Sequence, residues 1–181
     1  MARQIHRMIS SPRALVAVAC LLVACKNEGA KPRPADSIIA DVCGSASNAI
    51  PYTVLDVGSA AKMSSGREAR ELIQSEDEWR ARWKALADSA PMPRVSFQDS
   101  IVLIVTSPVS DSTPRSVEIE PLKACVGTQD IVVPVRTHTS NVKTTTPERS
   151  LRAVQIARDV WKTRRLTFYD LPPVVDPSPP K

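Results

Sequence analysis

The sequence has few of the residues that most enzymes use for proton transfer, metal binding and phosphate binding. It contains two histidines, His6 and His138, and five glycines that are too scattered to form a phosphate-binding loop. GxSxG, HExxH and GxxxxGK[ST] motifs are absent, and no CxxC spacing or histidine pair favours a metal site. These absences argue against the commonest hydrolase, nucleotide-binding and metalloenzyme classes, and no cofactor is predicted.

The composition is that of a globular protein. Hydrophobic residues make up 43% and charged residues 24% of the 181 residues, which suits one domain, or one domain with tails. The net charge of +5 would suit nucleic acid or a membrane surface if it lay on the folded domain. Three of the 24 basic residues lie within residues 1–24, where no acid is present, so 21 basic and 19 acidic residues remain beyond them. Most of the excess charge therefore belongs to the leader.

Residues 1–24 have the parts of a bacterial lipoprotein signal peptide. Arginines without acids come first, and Ala14 to Ala24 is an apolar run that is too short to span a bilayer, which needs about 20 residues. The run ends in Leu22-Val23-Ala24-Cys25, which resembles the lipobox of bacterial lipoproteins, and the resemblance implies cleavage before Cys25 and acylation of that cysteine. The sequence before Cys20 is a poorer match. An ordinary signal peptide or an uncleaved buried segment is the alternative.

Lipid on Cys25 would anchor the chain without a spanning segment, because each buried methylene contributes about 0.8 kcal/mol. Lys26 stands where the enteric inner-membrane retention pattern has aspartate, so the resemblance implies a lipid-anchored protein of the bacterial cell envelope, at the outer membrane. Export leaves Cys43 and Cys125 as an even pair in an oxidising compartment. We predict a disulfide between them, with two free thiols as the alternative.

Composition divides the remaining chain into a tether, a domain and a tail. Residues 25–48, rich in Lys, Pro, Ala and Asp, are predicted to be a flexible lipidated tether. Residues 171–181 contain five prolines and are predicted to be a disordered tail, with a proline-rich peptide ligand as the alternative. Residues 49–170 are predicted to fold.

Periodicity within residues 49–170 predicts an α+β fold, a mostly antiparallel sheet with one amphipathic helix packed on it. A capping-box pattern begins at Ser75 and predicts a helix that ends no later than Ala90. Ile101 to Val105 is predicted to be a central strand buried on both faces. Pro134 cannot donate a ladder hydrogen bond, so its strand is predicted to lie on an edge or to contain a bulge. The other strands are predicted at residues 52–57, 69–73, 116–122, 150–157 and 165–169.

One face of the predicted helix carries Trp79, Trp83 and Leu86 at intervals of four and three residues. Two tryptophans on one stripe could stack on sugars. Each ring, however, buries roughly 150 to 250 Å² and dominates the packing of a small domain. We therefore predict that the stripe belongs to the core.

The order of these features resembles the C-terminal domain of PrcB-type lipoproteins, protease-complex subunits that stabilise a partner protease at the cell surface. The resemblance covers about residues 52–170. The matching segments are Ser75-Glu76-Asp77-Glu78-Trp79 with Trp83, Pro93-Arg94-Val95-Ser96-Phe97 before the buried strand, and Thr146-Pro147 before Val154. Ser96 replaces the family's acidic residue, and residues 108–115 replace its glycine-rich turn. The resemblance implies an α+β domain with a protein partner, and the family supplies no catalytic residues to transfer.

Two sets of polar residues are candidates for hydrolytic chemistry. The candidate carboxylates are Asp99, Glu118 and Glu120. The candidate triad is His138, Ser140 and Asp130. A solvated sheet face and a surface histidine are the plainer interpretations of the two sets.

A basic cluster surrounds Trp161 and consists of Arg158, Lys162, Arg164 and Arg165. Cations interleaved with an aromatic residue are typical of nucleic-acid surfaces. An exported protein meets little nucleic acid, so the cluster would contact acidic lipid, glycan or an acidic protein. The plainer interpretation is a charged face exposed to solvent.

The sequence therefore favours a lipid-anchored envelope module, not an enzyme, that binds or stabilises another envelope protein through a sheet edge. The resemblance makes a protease the first candidate partner. The alternatives are an envelope hydrolase that acts through carboxylates or His138, and a protease inhibitor that presents the loop of residues 108–115.

Overall fold

The computed structural model describes residues 34–44, 46–58, 62–63, 68–87, 90–110, 113–143 and 149–176. The helices are α1 (Ala35–Cys43), α2 (Glu76–Ala87) and α3 (Arg158–Trp161). The strands are β1 (Ser47–Ile50), β2 (Tyr52–Val54), β3 (Lys62–Met63), β4 (Arg70–Ile73), β5 (Ser100–Thr106), β6 (Arg115–Ile119), β7 (Leu122–Cys125), β8 (Asp130–Thr139), β9 (Arg149–Ala157), β10 (Arg165–Asp170) and β11 (Val174–Val175). Among the helices described, none is both long and apolar enough to cross a membrane.

The strands form two sheets. In the first sheet β8 is central, with β6 and β7 antiparallel along one side, β10 and β11 parallel along the other, and β1 beside β7. The second sheet is antiparallel in the order β2-β9-β5-β4, and the short β3 pairs with the start of β9. The predicted α+β class with mostly antiparallel strands is confirmed, whereas the parallel pairing of β10 and β11 was not predicted.

Alternation along β5 shows how the layers stack. Ile101, Leu103 and Val105 lie in a core shared with the first sheet, while Val102 and Ile104 lie in a second core beneath α2. All five side chains are fully buried, so the prediction of a strand covered on both faces is confirmed. The two sheets pack against each other, and α2 covers the outer face of the second sheet.

Helix α2 begins and packs as the sequence predicts. The Ser75 hydroxyl accepts a hydrogen bond of 3.3 Å from the backbone N–H of Glu78, which satisfies one donor at the helix start. Trp79 and Trp83 are 1% and 4% exposed, with ring centroids 5.1 Å apart. Their indole N–H groups donate to backbone carbonyls of the segment after the helix at 3.0 and 2.8 Å. The two tryptophans therefore belong to the core and are not a sugar platform.

The tether prediction is wrong for residues 35–43 and 47–48. Residues 35–43 form α1, whose Ile38 and Ile39 are buried, and Ile39 contacts the outer face of the first sheet at Val132. The following residues form β1, which pairs with β7. A nine-residue helix is marginal alone, so tertiary contacts order it, and composition cannot show those contacts.

The predicted disulfide between Cys43 and Cys125 is confirmed, with the Cα atoms 4.8 Å apart. Cys43 is the last residue of α1 and Cys125 the last residue of β7, and the two are 82 residues apart in sequence. The bond therefore fixes the end of α1 to the first sheet.

The disordered-tail prediction is wrong for residues 171–176. Leu171 is 4% exposed, and its backbone N–H donates to the carbonyl of Val135 at 2.8 Å. Val174 and Val175 pair with the end of β8 as β11. A proline-rich segment adds to a sheet here because the residues between the prolines supply the ladder donors. Residues 177–181 lie outside the described ranges.

The prediction that the Pro134 strand lies on an edge is wrong, since β8 is the central strand of its sheet. The bulge alternative fits. Ile119 of β6 lies opposite Val135 and Lys123 of β7 lies opposite Val132, so the three residues 120–122 face the two residues 133–134 of β8. The Pro134 carbonyl accepts a bond from Glu120 N–H on that side. The missing N–H of the proline thus falls at the irregularity, and no ladder bond with β10 is lost.

Candidate functional site

A cavity of about 310 Å³ lies where the ends of β6 and β8 meet the start of β9. Its polar lining comprises Arg115, Ser116, His138, Ser140, Arg149, Ser150, Arg152 and Asp176. Its apolar lining comprises Val57, Pro114, Val117 and Leu151. The volume is at the lower end of the range for small-molecule sites.

Arginine dominates the charge of this cavity. Alternation places Arg115 on the same face of β6 as the buried Val117, and Arg152 on the same face of β9 as the buried Val154. Arg149 is 3% exposed, and burial lowers its pKa from the ordinary value while attraction to Glu68 opposes the shift. Asp176 is the one acid among the described lining residues, which together carry a formal charge of +2 when His138 is neutral.

His138 lies between two carboxylates at the cavity wall. Its Nδ1 atom is 3.1 Å from Oδ1 of Asp176, and its Nε2 atom is 3.2 Å from Oε2 of Glu118. The ring nitrogens point away from each other, so the carboxylates lie on opposite sides of the ring and cannot share one metal ion with it. Among the residues described, no group of three or more His, Cys, Asp or Glu side chains is placed to hold a metal.

Two hydroxyl groups complete this region. The Ser150 hydroxyl oxygen is buried and has no hydrogen-bond partner among the described residues. The Tyr52 hydroxyl donates to the carbonyl of Ile119 at 3.0 Å. Burial, followed by the nearby Glu118 carboxylate, raises the pKa of Tyr52, while Arg152 opposes the rise. Arg152 and Glu118 therefore both act on the same phenol beside the cavity.

The predicted triad is not assembled. Asp130 lies at the start of β8, eight residues before His138, and its carboxylate accepts hydrogen bonds from Arg165 at 2.7 to 2.8 Å. The Ser140 hydroxyl accepts a bond of 3.1 Å from the backbone N–H of Val142. Asp176, from the segment predicted to be disordered, takes the place beside His138 that was assigned to Asp130.

The predicted carboxylates lie apart. Glu118 is about half exposed and contacts His138, whereas Glu120 is largely buried and pairs with Arg136. Asp99 lies in the turn before β5, where its carboxylate is 3.4 Å from the Ser96 hydroxyl. The structure therefore brings no two of them together as an acid and base pair.

The basic cluster around Trp161 is mostly engaged within the fold. The guanidinium of Arg158 donates to the carbonyls of Phe97, Gln74 and Ser100 at 2.6 to 3.3 Å. Arg165 pairs with Asp130. Trp161 packs against the core, one guanidinium nitrogen of Arg164 is buried, and Lys162 is exposed beside a shallow pocket. Arg158 thus serves as a clamp between segments and does not present its charge to a partner.

Sequence reasoning missed Arg115, Arg149, Arg152 and Asp176. Arg115 and Arg149 come directly before the strands predicted at residues 116–122 and 150–157, and Arg152 lies within the second of these, where charged residues are ordinary. Only the packing of β6, β8 and β9 brings them to one cavity, so no local signal marks them. Cys25 and part of the 108–115 loop lie outside the described residues.

Comparison of the chain with models of known protein families, with curated proteins and with solved structures finds no match in any of the three.

Proposed function

We propose that this chain is a lipid-anchored module of the bacterial cell envelope that binds and stabilises a partner protein, and that it is not an enzyme. The observation that supports the cell-envelope part of the proposal is the Cys43–Cys125 disulfide. Such bonds persist in oxidising compartments, which agrees with the export signal expected in residues 1–24. Acylation of Cys25 would place this domain next to the membrane surface.

The edge strand β10 is the surface that best suits a partner. Among the described strands it pairs only with β8, so its other side is open. The N–H groups of Arg165 and Leu171 both donate toward β8, so alternation turns those of Leu166 and Phe168 away from it. An open row of this kind can accept an added strand. β10 is therefore the proposed contact edge, since β8, which carries Pro134, is central in its sheet.

Site-specific photo-crosslinking in intact cells tests the partner proposal. A photoreactive amino acid at Thr167, exposed on β10, should give one dominant crosslinked protein. The matched control carries it at Arg80, which is exposed on α2 over the second sheet, whereas β10 belongs to the first, and this position should not give that product. A protease as the crosslinked protein would support the resemblance to PrcB-type lipoproteins. The same products at both positions, or none at Thr167, would contradict the proposal.

Fatty-acid labelling tests the anchor separately. Wild-type protein should incorporate a clickable fatty acid and sediment with membranes, whereas Cys25→Ser should do neither. Cys20→Ser is the matched control and should behave as wild type. Label on the Cys25→Ser variant would show that another residue is acylated, and no label on wild type would show that the chain carries no lipid.

The hydrolase alternative has less support from the geometry. A general base needs a ring nitrogen directed at the reacting hydroxyl or water. Both nitrogens of His138 face carboxylates, and the Ser140 hydroxyl is held by a backbone N–H. We expect His138→Ala to leave the crosslink at Thr167 unchanged, while a hydrolase would require this variant to lose an activity.

A further inference from the structure

We propose that the cavity between β6, β8 and β9 binds a small organic anion, with a carboxylate or phosphate group on a compact apolar body. The proposal concerns a different surface from the β10 edge and does not depend on the lipid anchor or on a protein partner.

The first argument is unneutralised positive charge. Arg115 and Arg152 are half-buried and, within the described part of the chain, neither makes an ion pair. Both lie on the strand faces that also carry the buried Val117 and Val154. Cations held in this way are costly unless an anion accompanies them, and guanidinium groups match carboxylate and phosphate oxygens.

The second argument is the mixed lining. Val57, Val117 and Leu151 give the cavity an apolar wall beside its cationic groups. The buried Ser150 hydroxyl, which has no partner among the described residues, could donate to a ligand oxygen. Ligand sites combine an apolar wall with a few placed polar groups in this manner.

Size restricts the ligand further. About 310 Å³ suits a molecule of the size of a substituted benzoate and is too small for a folded partner or a long acyl chain. Asp176 and the neighbouring Glu118 place negative charge at the His138 side of the cavity, so the anionic head is expected nearer to Arg115 and Arg152.

Calorimetric titration of the purified full-length protein with benzoate and with phenyl phosphate tests the proposal. Benzyl alcohol is the neutral probe, and inorganic phosphate tests charge without an apolar body. We expect saturable binding of at least one aromatic anion, with a dissociation constant on the order of 1 mM for so small a probe. The neutral probe should bind at least about tenfold more weakly.

Two single variants decide where the anion binds. Arg115→Gln should weaken binding of the aromatic anion by about tenfold, whereas Arg80→Gln, on the exposed side of α2, should not change it. Arg115→Gln removes no ion pair seen among the described residues, so the fold should survive, and its circular dichroism spectrum would verify this. Arg152→Gln is the second cavity variant should Arg115→Gln fail to fold.

The relative affinities identify the head group. Tighter benzoate binding would assign a carboxylate, and tighter phenyl phosphate binding would assign a phosphate monoester. Absence of saturable binding by either anion, equal binding of benzyl alcohol, equal binding of inorganic phosphate alone, or equal loss in the Arg80→Gln variant would overturn the proposal.

Discussion

Reduction of the Cys43–Cys125 disulfide should destabilise the first sheet and release α1 before the rest of the domain unfolds. The bond joins residues 82 apart. In the chain-entropy model, closing a loop of that length removes enough freedom from the unfolded chain to stabilise the fold by about 4.5 kcal/mol. At roughly 2 to 4 °C per kcal/mol, the melting temperature should fall by roughly 10 to 18 °C on reduction.

The structure also predicts where the loss is greatest. Helix α1 has nine residues and buries only two of them, Ile38 and Ile39, so little holds it once the bond is broken. Strand β5, by contrast, is buried along its whole length, because the first sheet covers one of its faces and α2 covers the other. Backbone amides of α1 should therefore exchange with solvent much faster after reduction, while those of β5 should keep their protection until global unfolding.

Urea unfolding followed by circular dichroism, together with hydrogen exchange, measures both effects on the exported protein. Oxidised wild type is compared with the Cys43→Ser/Cys125→Ser variant and with reduced wild type. Equal urea midpoints for the oxidised and reduced proteins would refute the stability argument. Equal acceleration of exchange in α1 and β5 would refute the claim that the bond acts locally on α1.

Three other predictions test the core, a clamp and an ion pair. Trp79→Ala should cost about 3 to 5 kcal/mol in urea unfolding, because the ring is fully buried and its N–H bonds to a carbonyl, while Trp79→Phe should cost clearly less. Arg158→Met should cost about 1 to 3 kcal/mol by the same measurement, since the part-buried carbonyls of Phe97 and Ser100 lose their donor. The hydrogen bond from Arg165, followed by that from Thr128, lowers the pKa of Asp130. Asp130 therefore stabilises the fold above its unfolded pKa of about 3.9, and this contribution is lost as pH falls through the lower folded value. Asp130→Asn should thus show a smaller drop in urea midpoint than wild type between pH 5 and pH 2, and parallel pH profiles would contradict this.

Local patterns were sufficient where a segment's own residues decide its structure. Ile101 to Val105 has no polar position along its length, so only a strand covered on both faces, or a buried helix, could accommodate it. Ser75 likewise marks the start of α2, and the tryptophans within α2 mark its buried face, so both features are visible in one short segment. The disulfide followed from the number of cysteines and the expected compartment.

Patterns failed where distant contacts decide the outcome. Residues 35–43 form a helix too short to be stable alone, and residues 171–176 contain two prolines, yet each segment gains order from the first sheet. Pro134 was placed on an edge because it cannot donate a ladder bond. The sheet accepts it centrally because its partner changes from β6 to β7 at that point.

The same distinction separates the two groups of basic residues. Arg158 and Arg165 are close in sequence to an aromatic residue and so were predicted to form a contact surface, but the fold supplies each with oxygen partners. No sequence pattern links Arg115 and Arg152, because 37 residues separate them. They nevertheless line one cavity, and neither makes an ion pair among the described residues. An arginine is therefore a candidate for ligand binding when the fold gives it no oxygen partner, and only the tertiary structure determines whether it has one.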